Sequence, residues 1–128
     1  MLTQRGLVRH VVEYANDLSA AAGKAAMQNL LAMNPRPDAV FAVSDTLAAG
    51  AMRAIEQAGL QVPEDIAVIG FDGTELAEMV SPQLTTVEQP SREIGAKAVE
   101  LLLNKIENPD VPTERVMLDW RFISRASA

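Results

Sequence analysis

Three aspartates, Asp17, Asp45 and Asp72, stand 28 and 27 positions apart, each just past a short apolar run and before a helix-like stretch. A repeat of that length fits one strand and one helix. Repeated strand–helix units imply a parallel sheet with right-handed crossovers. The spacing predicts an α/β fold, an open parallel sheet flanked by helices.

The units can be placed along the chain. "HVVEYA" (10–15) reads as a strand and "DLSAAAGKAAMQNLLA" (17–32) as a helix, with Ala22, Ala26, Leu30 and Met33 at helical spacing. Asp17 or Ser19 can cap it. "AVFAV" (39–43) is unbroken apolar, the pattern of a strand buried on both faces. Asp45 then caps a helix carrying Leu47, Ala51, Ile55 and Ala58 on one stripe, ended by Gly59, since glycine takes the left-handed cap conformation cheaply. "IAVIGF" (66–71) is the next strand and "TELAEMV" (74–80) a short helix. The last third changes character. "LTTVEQP" (84–90) is extended, and "SREIGAKAVELLLNKIEN" (91–108) is a strong helix capped by Ser91. "RVMLDWRFIS" (115–124) alternates, which predicts an edge or return strand.

Function classes narrow from here. The chain has 128 residues and a net charge of −6, with its basic residues scattered, so it is not built to hold a nucleic-acid backbone by itself. There is no cysteine, which fits a reducing cytoplasm and removes thiolate metal sites. A single His10 cannot make a zinc site alone and reads as structural. No phosphate loop, dinucleotide fingerprint or nucleophile elbow occurs, so neither a cofactor nor an enzyme is expected. No apolar run is long enough to span a bilayer.

The predicted strand ends are polar: Asn16-Asp17, Ser44-Asp45 and Asp72-Gly73. Open parallel sheets bind ligands beyond the carboxyl ends of their strands. A rim rich in acceptors suits a neutral polyhydroxylated or amino-bearing molecule. For Asp17 and Asp45, helix capping competes with ligand contact. Asp72 favours the site, because a short helix and a glycine follow it.

The stretches "FAVSDTLAAGAMRAI", "GLQVPEDIAVIGFD" and "SPQLTTVEQP" together resemble the C-terminal part of LacI/GalR-type transcriptional regulators, strongly over 37–106 and more loosely from Arg5 to Ser127. The resemblance implies the second lobe of a two-lobed, periplasmic-binding-protein-like fold of type I, with the first lobe largely absent. It makes residues 1–128 an effector-binding and dimerisation fragment, in which 84–108 form the crossover and a helix belonging to the first lobe. It implies a cytoplasmic regulator, not an enzyme, that senses a sugar-like or nucleoside-like effector. Operator DNA would be read only through an N-terminal helix-turn-helix outside this chain.

Carried over position by position, Asp72 matches an effector-binding aspartate, and Ser44 stands where relatives place Asn or Asp. Asp45 matches a constant acid of that turn. Leu18 replaces a stacking aromatic, beside Asp17. Gln89 lies on the crossover, Arg5 matches a basic pocket residue, and Gly73 replaces a second acid. The family dimerises through second-lobe surfaces, here Leu47, Gly50, Ala51 and Ala54 on one helix and Leu76, Met79 and Val80 on the next. The apolar surface of helix 91–107 would need a cover, which predicts a homodimer or a swapped oligomer. A fragment of a periplasmic sugar carrier is the alternative, since that class shares the fold and "GFDGT".

Overall fold

The computed structural model describes residues 11–128. Its elements run α1 (Ala20–Leu31), β1 (Ala39–Phe41), α2 (Asp45–Gln57), β2 (Ala67–Asp72), α3 (Leu76–Met79), β3 (Thr85–Glu88), α4 (Ser91–Glu107) and β4 (Arg121–Ile123). The four strands form one open sheet in the order β1-β2-β3-β4. β1, β2 and β3 are parallel, and β4 joins β3 antiparallel. The α/β prediction holds, as a mostly parallel sheet with one antiparallel edge.

Helices α1 and α2 start where a serine side chain takes over a free backbone donor. Ser19 Oγ accepts from Ala22 N at 3.1 Å, and Ser44 Oγ accepts from Leu47 N at 3.2 Å. The cap of α2 is therefore Ser44, with Asp45 as its first helical residue. α2 ends as its sequence predicts: Gly59 has φ +74°, and the Leu60 N–H reaches back to the Ile55 carbonyl at 3.1 Å. The two helices cross at glycines. A Cβ on Gly23 would strike the Leu47 backbone, and one on Gly50 would strike the Ala20 carbonyl. Met27, Met52 and Ile55 then pack with Ile66, Val68 and Leu84 of the sheet side into the core.

The C-terminal tail locks the start of the sheet. Ser127 is fully buried; its carbonyl accepts from Val68 N at 2.8 Å. Its hydroxyl donates to the Val68 carbonyl at 2.6 Å and accepts from Thr85 N at 2.8 Å. It thus occupies the edge of β2 just before β3 begins to pair.

Four expectations need correction. Residues 11–15 form no strand: Val11, Val12 and Tyr14 are exposed, so pairing there would bury no apolar face. The first residue of that expected strand, His10, lies outside the described residues. β1 is not buried on both faces, since Phe41 and Val43 are exposed; the core formed with α1 and α2 covers one face only. The expected strand 115–124 shrinks to Arg121–Ile123, because β3 offers partners only at Thr86, Val87 and Glu88. Ser91 does not cap α4; the N-cap is Pro90, with no side-chain hydrogen bond.

The uncovered sheet face is apolar. Phe41 and Phe71 meet edge to face, centroids 6.3 Å apart at 81°. Phe71, Val87, Gln89, Pro90, Ile94, Leu118 and Trp120 line a hollow of about 340 Å³ beside it. α4 extends from this side with none of its residues buried.

Candidate functional site

The loops after β1, β2 and β3 converge at one rim, the carboxyl end of the parallel strands. β2 delivers Asp72 there as its last residue, in register with Glu88 of β3. Asp72 has φ 113°, the one non-glycine residue with positive φ among those described. An L side chain in that region costs roughly 1–3 kcal/mol and persists only where its surroundings hold it. The holding contacts come from Gln89. Its side-chain amide donates to Asp72 Oδ1 at 2.9 Å, and its backbone N–H donates to the Asp72 carbonyl at 3.2 Å. Gly73 follows with φ +73°, and a Cβ there would lie 2.5 Å from the Glu88 side chain. Asp72 is thus a half-buried, pre-oriented acceptor, with a glycine keeping the space beside it small.

Asp45 lies beneath the same rim but does not open onto it. It is fully buried. Its Oδ2 accepts from Thr74 N at 2.6 Å and from Thr74 Oγ1 at 2.9 Å, and its Oδ1 accepts from Thr86 Oγ1 at 2.5 Å. Ser44 is nearly as buried, and its hydroxyl is occupied as a helix cap. Of the predicted rim residues, Asp72 and Gln89 come directly together, while Ser44 and Asp45 build the floor.

The remaining predicted residues divide. Asp17 is exposed, and its Oδ1 accepts from Ser19 N at 2.7 Å. The Ser19 hydroxyl, and then its N–H, hold this carboxyl below its ordinary value. Leu18 is exposed. Arg5 lies outside the described residues. At the outer side of the rim Arg121 pairs with Glu88 through Nε at 2.6 Å and through its terminal nitrogen. This partly neutralises the acid next to Asp72.

Sequence reasoning missed Thr74, Thr86 and Gly70. Gly70 was the readable signal, because a glycine inside a strand often marks close approach. A Cβ there would lie 2.5 Å from Asp45 Oδ1 and 2.8 Å from Leu84.

The residues of α2 expected at a dimer surface are used within the chain. Leu47, Gly50, Ala51 and Ala54 are all buried within the chain, where packing with α1 and the core uses them. On α3 and its C-cap, Met79 is exposed and Leu76 and Val80 are partly so.

Among the described residues no group of three or more His, Cys, Asp or Glu is placed to hold a metal ion. No described helix is long and apolar enough to cross a membrane.

Comparison with known proteins gives a consistent picture. Residues 1–128 match the family described as periplasmic binding protein-like domain. The ribose operon repressor of Haemophilus influenzae is 44% identical over 105 residues, 82% of this chain and 32% of the repressor. The HTH-type transcriptional repressor PurR of Vibrio campbellii is 51% identical over 85 residues, 66% of this chain and 25% of that protein. Among solved structures, the transcriptional regulator CelR–cellobiose complex superposes with a TM-score of 0.91 at 35% identity, over 99% of this chain and 39% of that one. The chain spans about a third of the length of the first two ribose repressors it matches.

Proposed function

The chain belongs to the periplasmic binding protein-like domain family, among its LacI-type regulators, and from that footing we propose that it is the effector-sensing portion of a transcriptional repressor. Its rim at Asp72 forms one wall of a cleft for a small polyhydroxylated molecule. The observation that carries this reading is the Asp72 backbone, kept at φ 113° with its carboxylate fixed by Gln89. Ordinary turns avoid that cost, and a site that must aim an acceptor justifies it.

A sugar fits better than a nucleobase. Leu18 offers no aromatic face for stacking, and a sugar's hydroxyls can donate to the Asp72 carboxylate. Among the relatives named above, a ribose operon repressor and a cellobiose complex support the same choice. In the longer protein the sugar would bridge this wall and a second lobe. Closure would bias a two-state equilibrium that sets operator affinity, since a ligand shifts states only by its differential affinity for them. Operator contact would belong to a helix-turn-helix in that longer protein, because this chain is acidic and its basic residues are scattered along the sequence. The sugar-carrier reading has less support, since the curated relatives named above are repressors.

One wall buries less ligand surface than a closed pocket. Calorimetry of this chain with D-ribose and cellobiose is therefore expected to give a Kd on the order of a millimolar, about 4 kcal/mol. Asp72→Ala should abolish the heat. Unchanged binding by Asp72→Ala would remove Asp72 from the site.

A further inference from the structure

We infer that Asp45, which has no access to ligand, is the positioning residue of the rim. This rests on the reading of Asp72 as a ligand acceptor. The buried carboxylate ties together the three segments that carry the rim, and each tie sits next to a rim residue in the chain. Asp45 itself follows Ser44 at the start of α2. Thr74, which gives Oδ2 both its N–H and its hydroxyl, stands two residues after Asp72. Thr86, which donates to Oδ1 at 2.5 Å, stands three residues before Gln89 on β3.

Asp72 and Gln89 lie on different elements, and their 2.9 Å hydrogen bond requires the β2–α3 loop and the end of β3 to stay in register. Ladder pairing fixes β3 beside β2 up to Asp72 and Glu88. Past that point the Thr74 end of the loop is anchored by Asp45. The charge suits this role: one carboxylate accepts all three hydrogen bonds, and charge-assisted bonds are short and strong. Gly70 leaves the space that lets the carboxylate lie over β2.

Asp45 therefore acts on ligand through Asp72 and Gln89. The role differs from simple core stabilisation, which would lower the melting temperature and leave the folded rim unchanged.

The test follows the Gln89 side-chain amide of the ¹⁵N-labelled chain by NMR, with and without D-ribose, in Asp45→Ala, Asp45→Asn and Thr86→Val. In Asp45→Ala and Thr86→Val the Gln89 amide pair should move toward its position in Asp72→Ala. The ribose Kd should rise about tenfold, the scale of one hydrogen bond to a charged group. Asp45→Asn should restore the native resonance, because its oxygen can take the Thr74 N–H while its NH2 donates to the Thr86 hydroxyl, which can turn to accept. Thr86→Val deletes only one tie and decides the matter if Asp45→Ala does not fold. A lowered melting temperature with the Gln89 resonance and the ribose Kd unmoved would overturn the inference. If the native chain binds no ribose, the sugar-site reading fails, and the Gln89 resonance in ligand-free protein still decides whether Asp45 positions the rim.

Discussion

At the scale of single residues, the role proposed for Asp72 sets function against stability at one position. Asp72 keeps an L side chain at φ 113°, where glycine would sit without strain. Asp72→Gly and Asp72→Ala both lose the carboxylate and its bond to Gln89, but only alanine retains the Cβ. Chemical denaturation should therefore find Asp72→Gly more stable than Asp72→Ala by about 1 kcal/mol. Equal stability would mean that the backbone relaxes when the Gln89 contact is removed. Asp72 was readable from sequence because an apolar run ended on an acid and a glycine. Asp45 was half readable: its type and place were plain, but helix capping and ligand contact were both open, and the structure assigns the capping to Ser44. The true partners, Thr74 and Thr86, lie 29 and 41 positions away in the chain, and no local pattern announces such a bond.

At the scale of elements, helices were more legible than strands. The helix of residues 91–107 emerged where its periodicity put it, since its cue lies within its own sequence. Strands depend on neighbours. The alternation in 115–124 was real, yet only three residues pair, because β3 is four residues long. Residues 11–15 have the composition of a strand and lack a paired neighbour. The α1–α2 crossing was not legible for a related reason. Small residues on α2 looked like a surface for close approach by another chain, and they serve close approach by α1. Gly50→Ala would drive a methyl group into the Ala20 carbonyl. It should force the two helices apart at a cost of about 1–3 kcal/mol, visible as a lower denaturation midpoint with an unchanged m-value. A midpoint matching the native protein would show that the helices separate freely and that the crossing is not tight.

At the scale of the whole molecule, one sheet face is packed and the other is open, and the open side continues onto α4. Leu102, Leu103 and Ile106 on that helix are each more than half exposed. Apolar area of this kind marks a surface that another element covers. We propose a second copy of the chain as the cover, as the apolar surface of helix 91–107 leads one to expect. Sedimentation equilibrium should show self-association that Leu102→Glu with Ile106→Glu reverses. A concentration-independent monomer would rule out the second copy as its cover.

On the proposed reading, a small sugar settles on the rim where the parallel strands end. An amide chemical-shift map of the ¹⁵N-labelled chain, recorded while D-ribose is added, tests this most directly. The largest changes should fall on Gly73 and Thr74 and vanish in Asp72→Ala. Changes centred on the hollow beside Trp120, or on α4, with the rim unmoved would contradict it.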